Sequence, residues 1–398
     1  MICLRVESFL LNLARKNTKG FGLRLWIVIC VVGIAILQAV SLEEYLFMGK
    51  LRGHLGLYYQ DMTEKRSNFA DINFSMGYDT PVSSNGLSFG GSFWFAARMY
   101  EYSRGDFNST KDSSIWTEGY VRYNRNDRLR VEAGRFYANT EWIKYYNQGA
   151  RVDYALSPNI FANLMWVNKN AYVTNYRMSN YRNPFDREGV FFGSVNILPL
   201  QSPMKIIPYF YVAPNRFNAF GIKIQLEKPS VGDSVFYANV HLLSYLGKNQ
   251  FVEQTRTDGD GGFIWVEGGV KWAGVKFGGG VITVSEKGAS GIDAFGQSTV
   301  FERREGLFYA DANTFYGLLE YTFPNHVVLE SAVRYTSIGA KQILNWEANA
   351  KLSVAPDVWL GGGFIGMLNN ANITLDDYIF ASDGKNYLLG RVFFQANF

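Results

Sequence analysis

Apolar and polar residues alternate along most of this chain from residue 42 onward. The stretch LRGHLGLYY (51–59) and the stretch WEANAKLSV (346–354) place apolar side chains at every second position. A period of two predicts β-strands with one apolar and one polar face. Eighteen such segments can be distinguished: residues 51–59, 69–78, 87–100, 117–124, 129–136, 150–156, 160–168, 189–199, 205–212, 218–227, 235–246, 263–272, 275–284, 315–323, 326–335, 346–354, 358–368 and 387–398.

The connections between these segments are sorted by length. Short connections such as 157–159 and 273–274 alternate with long ones such as 169–188 and 285–314, and residues 213–217 are an exception. A transmembrane β-barrel has tight turns at its periplasmic rim and long loops at its extracellular rim. Its strands of about 9 to 11 residues fit these segments. A soluble sandwich has no reason to sort its connections in this way.

Charged residues recur in the middle of the predicted strands. The polar face of a soluble sheet meets solvent, whereas that of a large barrel lines an aqueous lumen. We therefore predict an all-β fold: a transmembrane antiparallel β-barrel of eighteen strands over residues 42–398, with long extracellular loops and short periplasmic turns. The predicted lumen charges of the later strands are Glu267, Lys271, Glu330, Arg334, Glu347 and Lys351.

Residues 1–41 have the features of a cleaved secretory signal peptide. An apolar run at 25–37 follows a basic stretch, and Ala39-Val40-Ser41 supplies small residues for cleavage. A membrane anchor is the alternative, although a spanning helix needs about 20 residues. Both cysteines, Cys3 and Cys30, lie in this leader, and so does the excess of basic residues behind the net charge of +4. The body is left without thiol chemistry and without a basic surface for nucleic acid.

Motifs for catalysis or cofactors are weak. Residues 361–366 satisfy GxGxxG, but they lie inside a predicted strand and no helix follows. Residues 258–262 resemble half of a calcium loop but lack its spaced ligands. His54, His241 and His326 have no serine or aspartate at a spacing that indicates a catalytic site. We predict that the protein is not an enzyme and holds no cofactor or metal.

The connection at residues 137–149 is predicted to fold into the lumen and constrict it, because it is too apolar to remain in water. Two charged side chains of this segment are expected at the narrowest point, Glu141 and Lys144. A second, longer candidate for a constriction is residues 285–314. The residues assigned to the first constriction are Glu141, Trp142, Lys144, Tyr145 and Tyr146.

Several segments resemble a known family. Residues 129–137 (LRVEAGRFY) and 141–149 (EWIKYYNQG), together with 183–185 (NPF) and 217–221 (FNAFG), are similar to epsilonproteobacterial outer-membrane proteins related to OprD-type porins. The resemblance implies an eighteen-stranded monomeric barrel, an inward-folded third loop and passage of small polar or anionic solutes. The final strand, which ends in Phe398, resembles the terminal strand that the barrel-assembly machinery reads.

The predicted function is therefore that of a porin in the outer membrane, in contact with the lipid bilayer and lipopolysaccharide. Four arginines are predicted to form a basic ladder on one wall of the lumen and to favour anions, including small carboxylate-bearing solutes. The alternative is that these arginines pair with lumen carboxylates. A second functional hypothesis is a surface-exposed adhesin or ligand-binding barrel that uses loops such as 172–185. The ladder residues are Arg52, Arg98, Arg122 and Arg391.

Overall fold

The computed structural model describes residues 48–63, 67–185, 188–230, 232–247, 260–289, 291–296, 299, 301–324, 326–370 and 386–398. The predicted signal peptide, residues 1–41, lies outside the described residues, as do two residues of the calcium-like segment, 258 and 259. Residues 51–78 and 82–398 form one compact unit, the barrel. A separate unit comprises residues 1–50 and 79–81, of which 48–50 and 79–81 are described.

The barrel consists of eighteen antiparallel strands, which confirms the predicted fold class. Within the described residues, no helix has the length and apolar character needed to cross a membrane. The strands are β1 (Lys50–Met62), β2 (Phe69–Asp79), β3 (Leu87–Glu101), β4 (Ser114–Arg125), β5 (Leu129–Asn139), β6 (Lys144–Ser157), β7 (Ile160–Ala171), β8 (Val190–Ile197), β9 (Met204–Ala213), β10 (Phe217–Pro229), β11 (Val235–Gly247), β12 (Asp260–Trp272), β13 (Val275–Val284), β14 (Ala312–Thr322), β15 (Val327–Ile338), β16 (Lys341–Ala355), β17 (Val358–Asn369) and β18 (Tyr387–Asn397).

The sheet closes on itself because its first and last strands pair. His54 on β1 lies opposite Asn397 on β18, and the ladder continues to Met62 opposite Leu389. Every other strand pairs with its neighbours in sequence. Closure removes the free sheet edges that would otherwise expose unpaired backbone groups to lipid.

Side chains alternate between a buried inward face and an exposed outward face, as the sequence pattern predicts. On β1, Leu55, Leu57 and Tyr59 are each at least 40% exposed, whereas the intervening Tyr58 and Gln60 are almost completely buried. The outward face is thus apolar and faces lipid, and the polar groups turn into the lumen.

The two rims differ in their connections. Tight turns such as residues 273–274 and 356–357 lie at one end, which we call the short-turn rim. The other end, the long-loop rim, carries the extended connections 102–113, 172–189 and 285–311. The connection between β5 and β6 is much shorter than predicted, because β6 begins at Lys144 rather than near residue 150.

The end of β5 separates from β4, while β6 stays paired with β7 as far as Tyr146 opposite Ala171. β4 and β5 pair from Arg125 opposite Leu129 only as far as Gly119 opposite Arg135, while β5 and β6 stay paired up to Asn139 opposite Lys144. We call residues 135–148 the inward hairpin. It bends at Gly134, whose φ of +120° is unfavourable for residues with a side chain.

Replacing Gly134 by alanine should destabilise the protein by about 1–3 kcal/mol or more, because the backbone conformation is strained for alanine. The added Cβ would also lie 2.2 Å from the Gly119 carbonyl oxygen. Gly317→Ala is the matched control, since the nearest atom to its Cβ is 3.9 Å away. Thermal unfolding of both variants measures the effect, and equal midpoints would contradict it.

Candidate functional site

The tip of the inward hairpin packs across the lumen. Trp142 is completely buried, and its ring centroid lies 5.6 Å from that of His241 on β11 and 5.9 Å from that of Phe263 on β12. Ile143 beside it is also fully buried. The Trp142 indole is therefore enclosed by side chains of β11 and β12.

An ion pair joins the hairpin tip to β10 of the barrel wall. The Glu141 carboxylate lies 2.8 Å from Lys223 Nζ on β10, and its other oxygen lies 3.7 Å from His241 Nδ1. His241 Nε2 is hydrogen-bonded to the Tyr209 hydroxyl at 2.5 Å. Because Lys223 lies in the middle of β10, the tip reaches roughly half the height of the barrel.

The other three residues assigned to the constriction also lie on the hairpin. The Lys144 backbone N–H donates to the Phe295 carbonyl at 2.8 Å, which joins the hairpin to residues 285–311. Tyr145 packs edge-on against Tyr172, and Tyr146 packs edge-on against Tyr137. The five residues therefore lie on one element, the inward hairpin, and their role in limiting solute flow stays a prediction.

The described part of residues 285–311, which we call the inward loop, packs against the inward hairpin. Ile292, Phe295 and Phe308 are buried in the same apolar cluster as Trp142. The wall holds the loop by its backbone: the Glu347 carboxylate accepts the N–H groups of Glu302 and Arg303 at 3.0 Å each. The Arg334 guanidinium donates to the Arg303 and Glu305 carbonyls at 3.1 and 3.0 Å. Two predicted lumen charges thus position this loop.

The connections 102–113 and 172–189 are tied to the wall by a buried lysine. Lys111 Nζ lies 2.6 Å from Asp71 Oδ2 on β2, and both side chains are fully buried. The same amine donates to the Asn175 carbonyl and lies 4.6 Å from the centre of the Tyr58 ring. Burial lowers the pKa of Lys111 to about 8, although the nearby Asp71 charge opposes the shift. No sequence motif indicated this lysine.

Each arginine of the predicted ladder is paired with a carboxylate. Arg52 pairs with Glu118, and Arg98 pairs with Glu101. The remaining two pairs are longer: Arg122 lies 2.7 Å from Glu132, and Arg391 lies 2.7 Å from Glu302 of the inward loop. The four strands that carry them, β18, β1, β3 and β4, lie on one side of the barrel. Selectivity through this ladder stays a prediction.

Glu132 is surrounded by more positive charge than it can neutralise. Arg122, Arg130 and Arg151, from three consecutive strands, all donate to this buried carboxylate. Arg151 also lies 3.2 Å from Asp153. Of these three arginines only Arg122 was predicted to line the lumen, because their convergence on Glu132 depends on the register of β4, β5 and β6.

The remaining predicted lumen charges form a mixed set. Lys351 and Glu330 pair with each other at 2.8 Å. Lys271 pairs with Glu227 at 2.8 Å. Glu267 is buried and accepts the Tyr316 hydroxyl at 2.6 Å. Within the described residues, no group of three or more His, Cys, Asp or Glu side chains is arranged to hold a metal ion.

A cavity of about 350 Å³ lies where the inward loop and the connections 102–113 and 172–189 approach β1 and β18. Its charged lining residues within the described chain comprise three guanidinium groups and one carboxylate, and its aromatic ones are tyrosines. Such a lining suits a small anion with polar groups. These residues are Arg177, Arg303, Arg391, Glu302, Tyr58, Tyr176 and Tyr387.

Comparison with known proteins places the chain among outer-membrane proteins. The model of a family described as "Putative outer membrane protein" matches residues 35–359. No curated protein matches the chain.

Solved structures share the fold at low identity. OccK3 (OpdO) of Pseudomonas aeruginosa superposes with a TM-score of 0.69 and 9% identity, over 90% of this chain and 97% of that one. OpdK of the same organism, solved with vanillate, has a TM-score of 0.70 and 10% identity, over 89% and 99%. OccD1 (OprD) has a TM-score of 0.68 and 8% identity, over 89% and 96%. At these identities the likeness establishes the barrel fold.

Proposed function

Because the chain belongs to the outer membrane protein family whose model it matches, we propose that it is a porin through which small polar or anionic solutes diffuse. The long-loop rim is the extracellular one in this proposal, and the inward hairpin and inward loop narrow the lumen. The observation that carries the proposal is the cavity of about 350 Å³ between the inward loop and strands β1 and β18, whose lining holds three guanidinium groups and one carboxylate.

Carboxylate-bearing solutes are the proposed class. A carboxylate accepts paired hydrogen bonds from a guanidinium. These charge-assisted bonds are stronger than any hydrogen bond that an uncharged lumen wall could offer. Vanillate, named with the OpdK structure, is itself a carboxylate. The three arginines around Glu132 extend the positive potential toward the short-turn rim.

Reversal potentials in a salt gradient test the selectivity. Arg391→Gln removes a cation and leaves Glu302 without its partner, so the preference should shift toward cations. The double variant Arg391→Gln, Glu302→Gln removes the neutral pair and should keep most of the wild-type preference. Lys271→Gln, which also removes one paired cation, is a control on β12, six strands away from β18. An unchanged reversal potential in Arg391→Gln would show that this arginine is purely structural.

Planar-bilayer recordings distinguish the porin from the adhesin hypothesis. A porin gives conductance steps that scale with salt concentration, whereas an adhesive barrel closed by its loops is silent. The burial of Tyr172, Met178 and Phe185 removes these loop side chains from any contact with an external ligand. The structure therefore offers less support for adhesion through residues 172–185.

A further inference from the structure

The barrel wall has a seam beside the upper part of β4. The β4–β5 ladder ends at Gly119 opposite Arg135, so the backbone of residues 114–118 is left without a β5 partner. Side chains replace part of the missing ladder. Arg135 donates to the Trp116 carbonyl at 3.1 Å, and the Tyr181 hydroxyl donates to the Thr117 carbonyl at 2.6 Å.

A groove of about 440 Å³ lies on β2, β3 and β4 next to this seam. Its walls are aromatic and lie on the outward face: Phe93, Phe95 and Trp116 are 43%, 47% and 64% exposed. Phe74 completes the apolar part, with its ring centroid 6.1 Å from that of Phe93. A groove of this volume on a lipid-facing surface is large enough for one hydrocarbon chain.

The groove also has a polar end. Ser114 and Asn180 line it, and the Arg135 guanidinium contacts the backbone of Trp116. Within the described residues, the contacts of Arg135 are with that carbonyl and with the Tyr181 ring at 4.6 Å, neither of which carries a full negative charge. Arg135 lies beside a lining residue rather than in the groove itself, so an anionic head group at this end would lie close to a cation that has no carboxylate partner within the described residues.

We propose that this groove binds a single-chain anionic amphiphile, a long-chain fatty acid, taken from the outer leaflet. The acyl chain lies along Phe93, Phe95 and Trp116, and the carboxylate reaches Arg135 at the seam. This inference rests on the proposed function in one respect, because it takes the long-loop rim as the extracellular one. The lumen solutes proposed above use a different face of the same wall.

Quenching of tryptophan fluorescence by 9,10-dibromostearate tests the proposal on the full-length barrel in detergent micelles. Saturable quenching is expected in the wild type, because the bromine atoms lie against Trp116. The quenching should fall in Trp116→Phe to the part contributed by Trp94, which also lines the groove. It should be kept in full in Trp272→Phe, whose indole is exposed to a similar degree (62%). Arg135→Gln should weaken binding of the probe roughly tenfold. The methyl ester of the probe, which has no negative charge, should bind equally weakly to the wild type and to Arg135→Gln.

Equal losses in the two tryptophan variants, or an unaltered affinity in Arg135→Gln, would overturn the site. The site would also be overturned if the wild type does not bind the probe and has the mass of a dimer, while Trp116→Phe has the mass of a monomer. A second copy of the chain would then cover the groove. Unchanged strand content by circular dichroism shows that each variant is folded. Bilayer recordings on the same samples separate the two proposals: a conducting barrel without saturable quenching contradicts only this inference, and a silent barrel that binds the probe contradicts only the porin.

Discussion

Shortening the inward hairpin should raise the single-channel conductance several-fold. The variant lacks residues 137–146 and joins Phe136 to Asn147, which lie opposite each other in the ladder, by an Asn-Gly turn. It removes Trp142 from its contacts with β11 and β12 and removes the Glu141 ion pair with Lys223. The space vacated across the lumen becomes water, and ionic current follows the open cross-section.

Trp142→Phe provides the control for this deletion, because it keeps an aromatic side chain in the same buried position. We expect its conductance to stay close to that of the wild type. Glu141→Gln breaks only the ion pair at the tip, so it should give more frequent brief openings at an unchanged main level. If the shortened protein conducts like the wild type, the inward loop at 285–311 limits the current instead.

The strands were predictable because each outward position meets lipid and each inward position meets polar groups, which imposes a period of two. The predicted start of β6 was wrong because this pattern fails there. In residues 144–148, side chains at both odd and even positions contact protein: Asn147 is buried, and Tyr145 and Tyr146 pack on different aromatic neighbours. The alternation of exposed and buried positions that marks a wall strand is therefore absent from this part of β6.

Lumen charges could be assigned to strands from the sequence, but their partners could not. Arg391 pairs with Glu302, which lies on the inward loop 89 residues earlier. Arg334 and Glu347 bind backbone groups of that same loop. Pairing of this kind depends on how a long connection folds back into the barrel, and neither periodicity nor spacing carries that information.

Replacing Lys111 by methionine should destabilise the barrel by about 3–5 kcal/mol, since it leaves the fully buried Asp71 without its counter-ion. The connections 102–113 and 172–189 lose the amine that joins them to β2 and β1. The double variant Lys111→Met, Asp71→Leu should recover most of the loss, because no buried charge is then unpaired. Thermal unfolding measures both, and similar midpoints for the two variants would contradict a role for the ion pair.

The same lysine makes release of these connections depend on pH. Lys111 has a pKa of about 8 when buried, against 10.5 for an ordinary lysine. Between pH 8 and 10.5 the released form binds a proton that the buried form does not, so raising the pH stabilises the buried form. Below pH 8 both forms are protonated, and this dependence disappears. We therefore expect the open probability of the channel to fall as the pH rises from 8 to about 10.5.

In Lys111→Met the open probability should show no such fall, because methionine does not titrate. Single-channel recordings at fixed salt and voltage measure the effect in both proteins. Deprotonation of Lys111 removes its attraction to Asp71, which destabilises the buried form, and removes the cost of burying a charged amine, which stabilises it. A wild-type open probability that rises over this range would mean that the first effect is the larger one. The charge of Lys111, rather than the shape of the loops, would then hold residues 102–113 and Asn175 against β2.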